Sequence, residues 1–447
     1  MRINKISVTK LFGVFNHVIP LNKEEGITII HGPNGFGKTV LLRMVNGFFN
    51  SRYSELRTIP FTEFRVDFDD GSVLRVEKHL ENNSENKSET KLIVHFKKTG
   101  FNRSYKFSPS LFKESINQLK SSLRIIENYV PNLKQIAART WFYLPTKEQL
   151  SLEDVLQRFA NFLPIDPTEI KEEEEWLLKL KKSLNIRFIE VQRLLSFSDI
   201  RNSELELYRP VSMIASVATY SQELAKNIQT KLAEYGTLCQ SIDRTFPARV
   251  VNQKVASHLT EETLHNKLSE IEEKRFRLIE AGLLDKDEEH DFQVEKGIDE
   301  RTKSILSVYI EDVEKKLMIF QEIANKIELF KRIINTRFRY KKMTIRKDKG
   351  FTFTTPDGNP LSPTNLSSGE QHELVLFYEL LFKVQPNSLI LIDEPEVSLH
   401  VAWQVEFLKD LQEIIKLANF DVLVATHSPD IINDRWDLTV ELQEPIE

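Results

Sequence analysis

A glycine-rich stretch near the N-terminus has the residue types and the spacing of a phosphate-binding loop. Residues 32–39 read GPNGFGKT and satisfy the pattern G-x-x-x-x-G-K-[ST]. Glycines let successive backbone N–H groups close around phosphate oxygens, the lysine adds a positive charge, and the threonine hydroxyl can hold Mg²⁺. A chance match in a chain of this length is expected at a rate on the order of a few per cent. The predicted ATP-binding residues are Asn34, Gly35, Phe36, Gly37, Lys38 and Thr39.

Two adjacent carboxylates end a later apolar run. Residues 388–395 read SLILIDEP, which indicates a buried strand that ends at Asp393 and Glu394. Strand ends are where α/β sheets present their chemistry, and two acids there can divide the work. We predict that Asp393 holds magnesium together with Thr39, and that Glu394 polarises the water that attacks the phosphate. The alternative is a capped strand followed by an acidic turn without a catalytic role.

A histidine follows the next apolar run along the chain. Residues 422–432 read VLVATHSPDII, so His427 lies just past the carboxyl end of a predicted strand. A lone histidine in such a place is often structural. Here it is the third element that could face a phosphate, and we predict that His427 senses the γ-phosphate during catalysis.

The segment NLSSGEQ, residues 365–371, opens a predicted helix whose N-terminal dipole favours an anion. Together with the three preceding elements it resembles the signature loop of ABC-type ATPases. The resemblance implies that this loop closes over ATP held by a second copy of the chain. It therefore implies a homo-oligomer, at least a dimer, with a higher order such as a hexamer left open. The residues assigned to the loop's nucleotide contact are Ser367, Ser368, Gly369 and Glu370.

The spacing of these motifs resembles that of SMC, RecF and OLD-type ATPases. Thr39 and Leu366 are separated by 326 residues (40 through 365), which indicates an insertion in the ATPase head. In the stretch FIEVQRLL, Gln192 follows a predicted strand and resembles the Q-loop glutamine of these families. The resemblance implies a catalytic contact of Gln192 with magnesium and the attacking water. Residues 397–400, VSLH, stand where these families have their D-loop.

The predicted fold class is α/β. It is an ABC-type P-loop ATPase head, a mixed sheet with flanking helices and an antiparallel β subdomain, with an inserted short helical or coiled-coil arm. We divide the chain into an N-terminal lobe over 1–195, a helical insertion over 196–338 and a C-terminal lobe over 339–447. Asp70 and Gly71 mark a hairpin. Residues from about 110 to 180 are predicted to be mostly helical.

The insertion shows an apolar stripe at helical spacing. Because this stripe exceeds what one isolated helix can bury, we expect the arm to be a partner or assembly element. Within it, SIDRTFPARV reads as the end of a helix broken by Pro247. The stripe consists of Ile310, Val313, Leu317, Phe320, Ala324, Ile327, Phe330 and Ile334.

Composition excludes several function classes. The chain of 447 residues has 61 basic and 66 acidic residues, a net charge of -5, so no general coating for nucleic acid is expected. The single cysteine, Cys239, suits a reducing compartment. No window approaches the ~18 apolar residues of a membrane span, so we expect a cytoplasmic protein without a membrane partner.

One basic cluster leaves direct nucleic-acid contact open. Its cations alternate with Phe338 and Tyr340 and could track a nucleic-acid backbone. A solvated helix face is the alternative reading. The cations are Arg337, Arg339, Lys341, Lys342, Arg346, Lys347 and Lys349.

Four stretches together resemble the AriA family, the ATPases of PARIS anti-phage defence systems. They are IIHGPNGFGKTVLLRMVNGFF, FIEVQRLL, SIDRTFPARV and DRWDLTVEL. The resemblance implies an oligomeric ATP-driven sensor that holds a separate Toprim-type nuclease, AriB-like, inactive until a phage-encoded trigger protein is detected.

Two alternatives remain. The first is a RecF- or SMC-like DNA-repair ATPase that clamps DNA between ATP-bound heads. The second is an OLD-type nuclease in the same chain, which we do not expect because only 20 residues follow His427 in the sequence (428 through 447).

Overall fold

The structure is a computed structural model, and its residues fall into two compact units. The first unit comprises Met1–Arg193, Phe197–Met213 and Val384–Glu447, and the second comprises Leu194–Ser196 and Ile214–Lys383. No helix among the described residues is long and apolar enough to cross a membrane. The described residues are 1–82, 88–100, 104–109, 130, 133–137, 140–143, 148–151, 155, 173–189, 195–197, 213–252, 260–286, 299–397 and 399–444.

The first unit begins with an antiparallel sheet and the phosphate loop. Six strands form the sheet in the order β2-β1-β4-β5-β6-β7, and the predicted hairpin at Asp70 and Gly71 joins β4 to β5. Between β3 and α1 the chain forms the glycine loop. In chain order these elements are β1 (Ile3–Leu11), β2 (Phe15–Pro20), β3 (Ile27–His31), α1 (Lys38–Phe49), α2 (Tyr53–Thr58), β4 (Glu63–Phe68), β5 (Val73–Asn82), β6 (Ser88–Lys97) and β7 (Ser104–Phe107).

The region predicted to be mostly helical contains strands. β8, β9 and β10 form a three-stranded antiparallel sheet, so the helical prediction is wrong at the described residues 133–137, 140–143 and 148–151. Each strand has only four or five residues, too few to show a period of two. These elements are β8 (Leu133–Ala137), β9 (Thr140–Tyr143), β10 (Glu148–Ser151), α3 (Glu175–Lys182), β11 (Ile186–Ile189), β12 (Leu195–Phe197) and β13 (Met213–Ala215).

The second unit combines four long helices with a small sheet and the helix of the signature segment. The long helix α4 packs on α6 and on β15, and α5 packs on α6. The elements are α4 (Ser216–Asn252), α5 (Glu261–Glu280), α6 (Glu300–Met318), α7 (Gln321–Arg337), β14 (Lys342–Arg346), β15 (Gly350–Thr354), β16 (Pro360–Leu361) and α8 (Ser368–Tyr378).

The C-terminal part of the first unit completes a parallel sheet. Its strand order is β11-β17-β18-β3-β19, and all four pairings are parallel. β17 is buried along its whole length, as expected of a strand covered on both faces. The α/β class, the antiparallel β subdomain and the inserted helices are confirmed. The remaining elements are β17 (Leu389–Asp393), α9 (Val401–Ala418), β18 (Asp421–Ala425), α10 (Pro429–Ile432) and β19 (Thr439–Glu441).

The signature helix clusters with the inserted helices rather than with the C-terminal strands. α8 and the strands β14 to β16 belong to the second unit, whereas the division predicted from the sequence places them with residues 384–447 in a C-terminal lobe. The three-part division over 1–195, 196–338 and 339–447 therefore stays a prediction.

The apolar stripe of the insertion is buried within this chain. All eight of its members are at most 6% exposed, because α6 and α7 turn this face toward the other elements of their unit. The stripe also spans two helices, since α6 ends at Met318 and α7 begins at Gln321. It therefore gives no reason to expect a partner on the arm, and that argument from the sequence is wrong.

Pro247 lies inside α4, which continues to Asn252. A proline removes one helix hydrogen bond. Nearby, Arg249 Nη2 donates to the carbonyl oxygen of Ile242 at 3.0 Å, and the same guanidinium pairs with the buried Asp312 of α6. The helix continues past the proline and is joined to α6 through Arg249, so the predicted helix end at Pro247 is wrong.

Gly350 lets β15 lie against α4 in the second unit. Its φ is 71°, and a Cβ atom built there would lie 1.8 Å from the carbonyl oxygen of Ser221. Gly358 has a similar φ of 79° but no heavy atom within 4 Å of its Cβ position. The two glycines therefore separate the effect of backbone strain from the effect of a main-chain clash.

We predict that Gly350→Ala destabilises the protein far more than Gly358→Ala. The left-handed backbone costs either alanine about 1–2 kcal/mol, and the clash with Ser221 adds about 1–3 kcal/mol at Gly350 alone. Denaturant unfolding followed by the ellipticity of the full-length protein measures both values. Equal losses of stability would contradict the close packing of β15 on α4.

Candidate functional site

The phosphate loop lies between β3 and α1, as the sequence predicts. Gly37 is the N-cap of α1 and makes no side-chain capping bond, so the first-turn N–H groups depend on another acceptor. The φ angles of Gly35 and Gly37 are 86° and 87°. A Cβ at Gly35 would meet no heavy atom within 4 Å, whereas one at Gly37 would lie 2.6 Å from Leu11 Cδ2. The loop is thus open on the side of Gly35.

Lys38 occupies the inside of its own loop. Its Nζ donates to the carbonyl oxygens of Gly32 and Pro33 at 2.6 and 2.9 Å. Burial lowers the pKa of Lys38, and the negative charges of Glu394, Glu396 and Asp393 act in the opposite direction. A buried cation beside open backbone N–H groups fits the charge and the hydrogen-bonding needs of nucleotide phosphates.

Thr39 and Asp393 meet although they are far apart in the sequence. Thr39 Oγ1 donates to Asp393 Oδ1 at 3.1 Å. Asp393 is 6% exposed, and its burial raises the pKa of its carboxyl to about 6, which the hydrogen bond from Thr39 partly opposes. A hydroxyl and a carboxylate are hard oxygen donors of the kind that Mg²⁺ prefers. These two residues therefore fit a magnesium ion.

Few protein ligands surround this pair. Among the described residues, no group of three or more His, Cys, Asp or Glu residues could hold a metal ion. Magnesium in nucleotide sites keeps several waters and binds through one or two protein ligands plus the phosphates. The small donor set of Thr39 and Asp393 suits that mode of binding.

Glu394 and His427 come together at the same edge of the sheet. His427 Nε2 lies 3.9 Å from Glu394 Oε1, and both side chains are about one-third exposed, at 32% and 35%. Glu394 has a positive φ of 41°, and its N–H donates to the carbonyl oxygen of Ala425 at 2.9 Å. A non-glycine residue with a positive φ is uncommon and costly, and strained residues of this kind cluster at functional sites.

The signature segment caps its own helix. Ser367 is the N-cap of α8, and it forms a capping box with Glu370 in which each residue accepts from the other's backbone N–H. Lys341 Nζ donates to both oxygens of Glu370 at 2.7 and 2.6 Å. Ser367 and Ser368 are exposed, whereas Glu370 is buried. Glu370 thus braces the loop, and the exposed serines and Gly369 form its outer surface.

The basic cluster is largely paired with carboxylates. Arg337 is buried and bonds to the buried Glu373 of α8, so the reading of a solvated face is wrong for Arg337. Lys341 pairs with Glu370, and Lys347 pairs with Asp285. The charge available to a nucleic-acid backbone is therefore smaller than the sequence indicates.

Gln192 lies outside the described residues, and its predicted catalytic contact stays a prediction. Ser398 of the VSLH segment also lies outside them, while His400 is the N-cap of α9. Conversely, the sequence motifs predict no role for Glu396 or Gln404, which contact the turn at His427. The available signal is the third acid of the DEPE sequence, which begins at the last residue of β17.

A match to a protein-family model shows which family the chain belongs to. The model described as the AAA ATPase domain (AAA_15) matches residues 1–432, nearly the whole chain. The chain belongs to this family. Membership of the AAA ATPase domain family implies ATP as the nucleotide, in agreement with the phosphate loop, and the predicted enzyme class, an ATPase, is confirmed.

Curated relatives match shorter parts of this AAA ATPase domain. Protein ea59 of Escherichia phage lambda is 39% identical over 71 residues, which are 15% of this chain and 13% of that protein. A putative ABC transporter ATP-binding protein of Clostridium acetobutylicum is 26% identical over 144 residues, 30% of this chain and 50% of that protein. The matched part spans half or less of the length of these relatives.

Solved structures of SMC heads are more distantly similar to the AAA ATPase domain. The SMC head domain from Thermotoga maritima is 12% identical with a TM-score of 0.31 and full coverage of both chains. The Smc head domain of Pyrococcus furiosus, bound to the C-terminal domain of ScpA, is 14% identical with a TM-score of 0.33, covering 100% of this chain and 94% of that one. These scores are low, and the family assignment rests on the sequence model.

We predict that Asp393→Asn stabilises the nucleotide-free protein at pH 8. The carboxyl has a pKa of about 6 when folded against an ordinary value of 3.8, so the folded state binds the proton more tightly. The free energy of unfolding therefore falls by up to about 3 kcal/mol as the pH rises from 3.8 to about 6. Asparagine avoids this loss and keeps an oxygen for Thr39. The gain should be about half as large at pH 5.

Denaturant unfolding of both proteins at pH 5 and pH 8, without nucleotide or divalent cations, measures the gain. A gain that is the same at both pH values, or a loss of stability at pH 8, would show that the charge of Asp393 is not costly in the folded protein.

Proposed function

We propose that the chain is an ATP-driven oligomeric switch in anti-phage defence that controls a separate Toprim-type nuclease. The observation that carries the ATPase half of the proposal is the meeting of three segments at one sheet edge, namely the loop with Lys38 and Thr39, the acids Asp393 and Glu394, and His427. Support for the defence role comes from the resemblance of four sequence stretches to the AriA family.

Each residue has a distinct proposed part in hydrolysis. Lys38 and the open backbone of residues 34–39 would hold the phosphates, and Thr39 and Asp393 would hold Mg²⁺. Bound magnesium neutralises charge that develops on the phosphates. Glu394 would orient and polarise the attacking water, because its carboxylate is partly exposed beside the loop's lysine. His427, 3.9 Å from that carboxylate, would contact the γ-phosphate side of the site.

The site is proposed to be completed by a second copy of the chain. Ser367 and Ser368 are exposed at the N-terminus of α8, where backbone N–H groups favour an anion. Lys341 and Glu370 hold this loop in place from behind. We infer that the loop contacts ATP in a neighbouring subunit, and that ATP thereby joins the two subunits.

We predict different defects for Glu394→Gln and Lys38→Ala. Water activation is a transition-state role, so Glu394→Gln should bind ATP normally and lose at least about 100-fold in hydrolysis. Lys38→Ala should lose nucleotide binding, since its charge acts on bound ATP in the ground state as well. Fluorescent-nucleotide titration and phosphate release measure the two quantities. Wild-type hydrolysis by Glu394→Gln would contradict the assignment of the base.

We predict that two inactive variants complement each other when mixed. Ser367→Arg should block only the face that reaches the neighbouring ATP, so its monomer still binds nucleotide but hydrolyses none. A heterodimer of Ser367→Arg and Lys38→Ala should contain one complete site. In that site the intact phosphate loop of the Ser367→Arg subunit faces the intact signature loop of the Lys38→Ala subunit. Activity should rise with the mixed fraction and with concentration, since association assembles the site.

Inactivity of the mixture, once native mass measurement has shown mixed oligomers, would contradict the composite site. The defence role is tested separately by purifying the protein with the products of its neighbouring genes. Copurification of a nuclease that is released after hydrolysis supports the switch. ATP-dependent binding of duplex DNA with no nuclease partner would instead favour a RecF- or SMC-like repair clamp.

A further inference from the structure

The turn that follows the acidic pair contacts the turn of His427 directly. Glu396 Oε1 accepts a hydrogen bond from the backbone N–H of His427 at 2.7 Å. The other carboxylate oxygen, Oε2, is buried and has no hydrogen-bond partner among the described residues. The carboxylate of Glu396 therefore accepts one hydrogen bond from the backbone, although burying its second oxygen without a partner destabilises the folded protein.

Gln404 of α9 joins the same two turns. Its Nε2 donates to the carbonyl oxygens of Glu396 and Leu399, both at 3.3 Å. Its Oε1 accepts from Ser428 Oγ at 2.7 Å. Because Gln404 is buried on a long helix, it fixes the backbone of Glu396 relative to the residue that follows His427.

The charge of Glu396 also acts on the site. Its carboxylate favours the charged form of Lys38 and the neutral form of Asp393. Substitution of Glu396 can therefore act in two ways: through its charge, or through the hydrogen bond to the His427 backbone. The structure favours the hydrogen bond, because it is direct, whereas Glu396 is only one of three carboxylates whose charge acts on Lys38.

We propose that Glu396 is a positioning residue for hydrolysis, which acts by holding the backbone of His427 so that the imidazole stays beside Glu394. This role rests on the proposed function, in which Glu394 and His427 serve ATP hydrolysis. Glu396 itself need not touch the nucleotide. Glutamine at this site would keep the acceptor oxygen and lose the charge, whereas alanine would lose both.

The first test compares hydrolysis by Glu396→Ala and Glu396→Gln. We expect kcat to fall about tenfold in the alanine variant, the effect of one well-formed hydrogen bond, and to stay within about threefold of wild type in the glutamine variant. ATP affinity should change little in either. Glu406→Ala, which removes an exposed glutamate of α9, is the control for net charge. Equal losses in both Glu396 variants would overturn the role of the hydrogen bond.

The second test needs no nucleotide. Hydrogen exchange of the peptide that contains His427 reports whether its N–H is bonded in the free protein. We expect this amide to exchange about tenfold faster in Glu396→Ala than in wild type and to stay protected in Glu396→Gln. Unchanged exchange in the alanine variant would show that Glu396 does not hold the His427 backbone, and would overturn the proposal.

The third test asks whether Glu396 acts through His427. We expect Glu396→Ala to lower kcat no further in a His427→Ala background, since the held side chain is already absent. A further tenfold loss in the double variant would overturn the proposal. Reduced kcat in His427→Ala together with wild-type kcat in Glu396→Ala would overturn the positioning role of Glu396 but leave the proposed catalytic site in place. Wild-type hydrolysis by His427→Ala would overturn the proposed site as well.

Discussion

A carboxylate buried at the end of a parallel strand is the constraint on which the site depends. Asp393 ends a strand that is buried along its whole length, and burial raises the pKa of its carboxyl to about 6. Without a cation, the charged form is costly at neutral pH. Thr39 offsets part of that cost with one hydrogen bond. The remaining cost of the charged carboxylate favours the binding of a cation at this edge of the sheet.

Strand order explains why so few residues make a site. β3, β17 and β18 are adjacent, so the phosphate loop, the acidic pair and His427 all leave the sheet at its carboxyl edge. Thr39 and Asp393 meet across 354 positions of sequence. Contacts from Glu396 and Gln404 then fix the loops that follow β17 and β18 relative to each other. Local motifs determine which side chains are present, and the parallel sheet determines the distances between them.

The sequence predicts features that are encoded locally and misses those that depend on tertiary neighbours. The phosphate loop and the apolar strands carry their own patterns. Nothing in the sequence shows that Glu396 bonds to the backbone of His427, or that Arg337 is buried against Glu373. Pro247 stays within α4, which Arg249 joins to Asp312 of α6 and which packs against that helix, so tertiary contacts override its propensity. The spacing of the apolar stripe likewise indicates that its residues are buried, but it does not indicate whether this chain or a partner covers them.

We propose that Thr39 and Asp393 jointly hold the magnesium ion of bound ATP. Measurement of ATP affinity with magnesium and with a chelator, for the wild type, Thr39→Ala, Asp393→Asn and the double variant, tests this proposal. We predict that magnesium strengthens ATP binding by the wild type at least about tenfold, or about 1.4 kcal/mol. Each single variant should lose most of that gain, and the double variant should lose little more. A full magnesium-dependent gain in the ATP affinity of Asp393→Asn would contradict the binding of magnesium by Asp393.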